Sequence, residues 1–517
     1  MTMIDRHHLH RLPLVWCLLL LSLLVFLPAM AGDDAAPVVH VLDGALLGRA
    51  TGDPGVQAFM GIPYAAPPVG PLRWRPPQPP VPWSGVRDAT RAGPACMQWH
   101  RSGVAAIPSE DCLSLNVWAP IRHVGPPLPV MVFVHGGGFV FGSGAEPVYD
   151  GTALAGHKVL LVTLNYRLGV FGFLAHPALT REGGGTSGNY GLLDQIRALR
   201  WIQANIGQFG GDPRRVTLFG ESAGGTSVAM LLASPMARGL FAQAILESPA
   251  LGWRFMTLAE AERTGVSIGS DIAALRRAPA QSLLAANLTI QSRAPPMAPV
   301  PLPFPVVDGQ VLPDQPNALL TAPDGFRMPM MIGTNADEGL SFAGHWSGLS
   351  PGDYARRLSM LFDVQATQAA AIYPAHDPAS RLRAGADIIG DGLFYEGSRM
   401  LGRAGASRDP RTFRYLFAQP IHGVPPRHAA EVAYVFGTLG PLASAQEHAL
   451  SETMMTAWTR FATTGDPNGG GASASSVRWP RASGPGDPYL EFGPTVAAHA
   501  GFRTVQLDFM QRAFSGG

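Results

Sequence analysis

Val216-Thr217-Leu218-Phe219-Gly220-Glu221-Ser222-Ala223-Gly224-Gly225 is an apolar run that breaks at a small-residue turn and continues into an apolar-rich helical pattern, Thr226 to Leu232. Within it, Gly220, Ser222 and Gly224 have the spacing of a sharp strand-to-helix turn whose glycines remove the Cβ atoms that would clash in so tight a backbone. Such a turn exposes Ser222 Oγ at the top of a sheet and makes it a candidate nucleophile. The Ala223 amide, at the helix start, can face the same reacting oxygen. Spacing alone does not decide this, because Gly265-Val266-Ser267-Ile268-Gly269 fits equally well. Ser267 follows the polar, helix-like run Leu258 to Arg263 where the turn requires a strand, so an ordinary helix or loop residue is expected there.

Upstream of the turn, Val130-Met131-Val132-Phe133-Val134 is continuously apolar, as a strand buried on both faces must be. It runs into His135-Gly136-Gly137-Gly138-Phe139, where successive glycines let backbone N–H groups face a ligand, the construction of an oxyanion hole. Val159 to Leu164 is a second buried strand and precedes Asn165-Tyr166-Arg167-Leu168-Gly169. A helical pattern through Leu192, Ile196, Leu199 and Ile202 then returns the chain to the elbow strand. Strand, helix, strand in this order describes a parallel crossover. Further strands are expected at Val38 to Leu42, Glu110 to Trp118, Ala244 to Ser248, Met328 to Gly333 and Thr412 to Phe417. Phe59 to Tyr64 opens a proline-rich segment reaching Trp83, expected to wrap the surface because prolines lack the donors of a helix or central strand. Residues 254 to 292 read as helical stretches, 295 to 305 as a proline-rich loop and 469 to 476 as a glycine/serine surface loop. With no internal repeat and no long linker, 32–517 is expected to form a single α/β domain, a large mostly parallel sheet flanked by helices, with loop and helical insertions.

The 517 residues carry 38 Lys+Arg against 37 Asp+Glu, so no global field draws in nucleic acid or an anionic membrane. Lys158 is the lone lysine and Ala155 stands three residues before it, which disfavours serine-lysine chemistry. Arg6 and Arg11 precede an apolar stretch from Leu12 to Leu27, and Ala29-Met30-Ala31 supplies small residues at a cleavage position. Residues 1–31 therefore read as a cleaved signal peptide, and the stretch is short for a membrane span. The product is an exported, periplasmic or secreted chain without a stable membrane anchor. Its two remaining cysteines, Cys96 and Cys112, are expected to pair in an oxidising compartment. The sequence contains neither Cys-x-x-Cys nor His-Glu-x-x-His, so no metal site is expected. Gly183 to Gly188 matches a dinucleotide fingerprint in spacing, but no strand feeds it, and no cofactor is expected.

A serine nucleophile needs a base to take its proton and an acid to orient that base; in this kind of fold both follow the serine, acid first. After Met328 to Gly333 comes Asn335-Ala336-Asp337-Glu338-Gly339, where Asp337 and Glu338 are both candidates. After Thr412 to Phe417 come His422 and His428. The residues alone leave both choices open.

Taken together, the motifs resemble the type B carboxylesterase and cholinesterase family of α/β-hydrolases. The resemblance runs from Phe59-Met60-Gly61-Ile62-Pro63-Tyr64-Ala65 through Glu110 to Val117, Asn165 to Gly169 and Gly220 to Gly225, and on to Trp458 to Asn468. It implies Glu338 as the acid, from an Asp-Glu-Gly turn, and His428 as the base, from a His-x-x-Glu stretch leading to Val435-Phe436-Gly437. It also implies the amides of Gly137, Gly138 and Ala223 as oxyanion donors, and a Cys96–Cys112 disulfide. The function implied is hydrolysis of small to medium uncharged esters through an acyl-enzyme; amides, carbamates or long-chain lipid esters are the alternative with the same triad. A non-catalytic binding protein on this scaffold is disfavoured because every catalytic position is filled. Two departures stand out. Glu247-Ser248-Pro249 replaces the Gln-Ser-Gly of many relatives, which puts a supporting role for Ser248 in question. The Cys96–Cys112 loop is short, with Trp99 its one aromatic, which disfavours choline esters.

Overall fold

The computed structural model describes residues 36–99, 107–121, 123–252, 254–291, 304–469 and 477–514. The signal peptide reading, most of the proline-rich loop at 295 to 305 and nearly all of the 469 to 476 patch lie outside the described residues. Pro37–Gly517 is one unit by its internal contacts. Its strands are β1 (Val38–Val41), β2 (Gly44–Leu47), β3 (Arg49–Ala50), β4 (Val56–Pro63), β5 (Val86–Asp88), β6 (Ser114–Pro120), β7 (Leu128–Val134), β8 (Leu160–Leu164), β9 (Gly211–Glu221), β10 (Gln243–Glu247), β11 (Met330–Asn335), β12 (Thr412–Phe417), β13 (Tyr489–Phe492) and β14 (Val496–His499). β1, β2 and β5 make a small sheet. The other 11 form one sheet in the order β14-β13-β12-β11-β10-β9-β7-β8-β6-β4-β3. From β13 to β8 every neighbouring pair is parallel. Antiparallel strands flank this stretch on both sides.

Period-two alternation sorts the strand residues between the two faces. Val130, Val132 and Val134 of β7 join Leu160 and Val162 of β8 and Leu218 of β9 in one core, packed with Leu192, Ile196 and Leu199. The latter lie on the helix Tyr190–Asn205. Met131 and Phe133 point the other way and join Phe219, Ile245, Met331 and Phe413 in a second core with Trp458 and Phe461. These last two lie on the helix Ala445–Thr464, which starts at a Ser444/Glu447 capping box and ends at Gly465 in the left-handed conformation. Strands buried on both faces need apolar residues at every position, hence the unbroken run in β7.

One expectation is corrected. Phe59 to Pro63 is not surface wrapping but the second half of β4, between β6 and β3 in the large sheet. The register breaks between Phe59 and Ile62, and Gly61 there takes φ +64° and donates its amide to Asn116 Oδ1 (2.9 Å). Pro63 is tolerated because it ends the strand. Among the described residues, no helix is long and apolar enough to cross a membrane.

Candidate active site

The parallel strands end on one edge, where open α/β sheets place their sites. Val134 of β7 is in register with Gly220 of β9, and Glu221 with Glu247 of β10. The glycine loop after β7, the elbow after β9 and Ser248 after β10 are therefore neighbours by construction. The Ser222 amide donates to the Glu247 carbonyl (2.9 Å), and the Ser248 amide to the Gly333 carbonyl (2.8 Å).

Ser222 sits at φ +58°, ψ −122°, immediately before the helix Ala223–Ala233. A non-glycine residue held there stores strain on the order of 1–3 kcal/mol, sustained only by rigid surroundings. Those surroundings are close-packed backbone: a Cβ on Gly224 would overlap the Val134 carbonyl oxygen, and one on Gly220 would lie 2.6 Å from the Gly224 carbonyl carbon. The competing Ser267 lies in a short 3₁₀ turn after a helix, and its hydroxyl donates to the Thr264 carbonyl (2.6 Å).

His428 brings the pieces together. Its Nε2 is 2.8 Å from Ser222 Oγ and its Nδ1 is 2.6 Å from Glu338 Oε2. With the proton on Nδ1, the ring donates to Glu338 and accepts from the serine hydroxyl. Glu338, fully buried, takes the Asn335 amide (2.6 Å) and the Ser248 hydroxyl (2.5 Å) on Oε1. Its own amide donates to Tyr395 Oη (3.1 Å). Ser248 thus contacts the carboxylate despite the changed Glu-Ser-Pro context. Asp337, the other candidate, faces away into a bidentate pair with Arg383, both bonds 2.8 Å. His422 is exposed in the tight turn between Ile421 and Val424. The Phe342 and Phe394 rings pack on His428, with centroids 5.2 and 4.7 Å away.

Carboxyl groups crowd beneath the imidazole. Glu221 Oε1 is 3.3 Å from His428 Nε2, and Asn335 Nδ2 donates to Glu431 Oε2 (2.6 Å). Burial raises the Glu431 carboxyl, with the Glu338 charge adding to it. Burial also raises Glu221, against the pull of His428. For His428, burial favours the neutral ring, but the Glu221 and Glu338 carboxylates reverse this and push it up to about 9. Glu221 and His428 therefore compete for one proton, and the Glu221 charge together with the 2.6 Å contact with Glu338 keeps the imidazole above its ordinary range.

The glycine loop lies against the elbow: a Cβ on Gly136 would come 3.0 Å from Ser222 Cβ. Gly137, Gly138 and Phe139 are successively left-handed, at φ +98°, +59° and +61°. The amides of Gly137, Gly138 and Ala223 donate to no acceptor among the described residues. Cys96 and Cys112 are joined in a disulfide with Cα atoms 5.0 Å apart. Sequence reasoning missed Asn335, whose amide donates to the Glu338 carboxylate, and Tyr395, whose hydroxyl accepts from the Glu338 amide. Tyr395 follows 57 residues after Glu338, in a π-helical stretch Gly390–Tyr395 that no local pattern announces.

Residues 35–510 match the family model described as "Carboxylesterase family". The chain is 43% identical over 491 residues to a fumonisin B1 esterase of Sphingopyxis macrogoltabida, covering 91% of this chain and 88% of the relative. It is 38% identical over 461 residues to the para-nitrobenzyl esterase of Bacillus subtilis (strain 168), covering 84% and 90% respectively. A solved PNB esterase structure superposes with a TM-score of 0.81 at 35% identity, covering 92% of this chain and 100% of that one. With this sheet order and these relatives, the chain belongs to the carboxylesterase family and is a carboxylic ester hydrolase of the α/β-hydrolase fold.

Proposed function

We propose that the protein hydrolyses small to medium uncharged esters in two steps through an acyl-enzyme on Ser222. The observation that carries this reading is the continuous relay Ser222 Oγ, His428, Glu338, with spacings of 2.8 and 2.6 Å. Ser222 attacks the ester carbonyl while His428 Nε2 takes its proton, and the imidazolium passes that proton to the leaving alcohol. Water then adds to the acyl-enzyme with His428 as base again, releasing the acid and restoring the serine. Glu338 holds the tautomer and balances the imidazolium charge. The amides of Gly137, Gly138 and Ala223 receive the oxyanion, a contribution of about 10²- to 10³-fold in turnover per donor. An apolar setting beside the base supports an uncharged substrate: Phe342 and Phe394 flank the imidazole.

The same reading takes residues 1–31 as an export signal and 32–517 as the mature single domain, periplasmic or secreted. The Cys96–Cys112 disulfide, a bond maintained in oxidising compartments, supports it. Mass spectrometry of the exported protein should give Gly32 as the first residue; an intact N-terminus on the exported protein would contradict it.

The test of substrate class is a panel of p-nitrophenyl esters of increasing acyl length, with amide and carbamate analogues. Fumonisin B1 belongs in the panel because the 43% identical relative carries that name. Short and medium esters should turn over fastest, and folded Ser222→Ala should be inactive toward all of them. Undiminished hydrolysis by Ser222→Ala would remove the assignment.

A further inference from the structure

The loop from His135 to Gly144 must hold three consecutive left-handed residues without a strand ladder to support them. Buried groups from two other segments hold it instead. At its start, Tyr166 Oη donates to the His135 carbonyl (3.0 Å), and the two rings stack at 4.6 Å. In its middle, the Gly169 amide donates to the Phe139 carbonyl (2.7 Å). At its end, Asn165 Oδ1 accepts from the Gly144 amide (2.8 Å) and the Ser143 hydroxyl (3.1 Å). The stretch Asn165 to Gly169 is itself anchored, since Arg167 forms a buried bidentate pair with Asp194, both bonds 2.7 Å.

The second segment is the disulfide-closed loop. Gln98, two residues beyond Cys96 and buried, accepts the Gly142 amide on Oε1 (3.0 Å) and donates from Nε2 to the Gly142 carbonyl (2.8 Å) and the Cys96 carbonyl (3.0 Å). Its hydrogen-bonding capacity is used on the two ends of this link. Gly142 takes φ +115°, and a Cβ there would lie 2.5 Å from His135 Nδ1. One peptide earlier, Phe141 folds back: its amide donates to the Gly137 carbonyl (3.1 Å), and its own carbonyl oxygen fills the space a Gly137 Cβ would need. A path of direct contacts therefore runs from the disulfide through Gln98, Gly142 and Phe141 to Gly137. Asn165 ties the same loop, donating from Nδ2 to the Cys112 carbonyl (3.3 Å) and the Pro94 carbonyl (2.9 Å).

We propose that Gln98 is a positioning residue for the oxyanion donors: it fixes Gly142, through Phe141 it aims the Gly137 and Gly138 amides, and the Cys96–Cys112 disulfide holds Gln98 in place. This rests on the oxyanion reading above. A preorganised donor contributes to the transition state because it does not reorganise during reaction, so loosening it lowers turnover more than ground-state binding.

The experiment compares wild type, Gln98→Met, which keeps length and loses all three side-chain hydrogen bonds, and the double variant Cys96→Ala/Cys112→Ala, which keeps Gln98 but frees its loop. Each is assayed for kcat and KM on one p-nitrophenyl ester and for inhibition by a trifluoromethyl ketone, whose hemiketal places an oxyanion at the donors. Gln98→Met should lose about 10- to 100-fold in kcat with KM within about twofold, and its ketone affinity should fall by the same factor as kcat/KM. The double cysteine variant should move all three quantities in the same direction by a smaller factor. Folded Gln98→Met with wild-type kcat and ketone affinity, whatever its melting temperature, would overturn the proposal. So would a rise in KM alone. If Gln98→Met does not fold, wild-type kcat and ketone affinity in the double cysteine variant overturn it. If wild type itself binds the ketone no better than the corresponding alcohol, the oxyanion reading fails instead.

Discussion

Glu221 precedes the proposed nucleophile in sequence and stands 3.3 Å from His428 in space, so with Glu338 it bears on the pH at which that histidine loses its proton. A base must be unprotonated to accept the serine proton, and the carboxylates beside His428 hold its proton more tightly than in water. Activity should therefore rise as pH increases through the raised His428 value, placing the acid limb of kcat/KM above the ordinary histidine range of about 6.5. Removing one neighbouring charge weakens that hold: Glu221→Gln should move the limb to lower pH, measured as a kcat/KM profile on a neutral ester. A shift to higher pH would contradict the charge argument. Ser248→Ala removes a hydrogen bond to a buried carboxylate and should lower kcat about 10-fold. At this scale the elbow, the glycine loop and the two candidate pairs were legible in the sequence because each is a local pattern at a strand end. The choice between Asp337 and Glu338 was not legible from the residues themselves. Adjacent residues on one turn point opposite ways, and what draws Asp337 outward is Arg383, 46 positions later. The family resemblance supplied that choice, while its changed neighbour at Glu247 obscured Ser248, whose hydroxyl reaches Glu338 regardless.

Between elements, the site depends on backbones approaching more closely than side chains allow. β7 and β9 pair in register up to Val134 and Gly220, and the turn into the helix Ala223–Ala233 brings Gly224 against the Val134 carbonyl. Gly224→Ala should cost about 3 kcal/mol, read as a lowered urea midpoint, because backbone lines the space on every side named. A substitution tolerated within about 0.5 kcal/mol would mean the elbow can relax. The parallel strands were legible as unbroken apolar runs. Phe59 to Pro63 was not, because its proline and glycine argue against a ladder, and only the bulge at Gly61 and the terminal place of Pro63 reconcile them with one. Likewise the link from Gln98 to Gly142 spans 44 residues, beyond any periodic signal.

Across the whole molecule, an 11-stranded sheet gathers Ser222, Glu338 and His428 from positions up to 206 residues apart, while near-neutral charge leaves substrate selection to local walls. By chain entropy the 16-residue separation of the disulfide contributes about 3 kcal/mol, so Cys96→Ala/Cys112→Ala should unfold at lower urea than wild type. The hydroxyl proposed as nucleophile is that of Ser222, 2.8 Å from His428 Nε2. Treatment with an organophosphate followed by peptide mass spectrometry measures this most directly: one phosphoryl adduct per chain on the peptide bearing Ser222, formed in step with loss of ester hydrolysis, is the expected result, and an adduct elsewhere, or full inhibition with Ser222 unmodified, would contradict it.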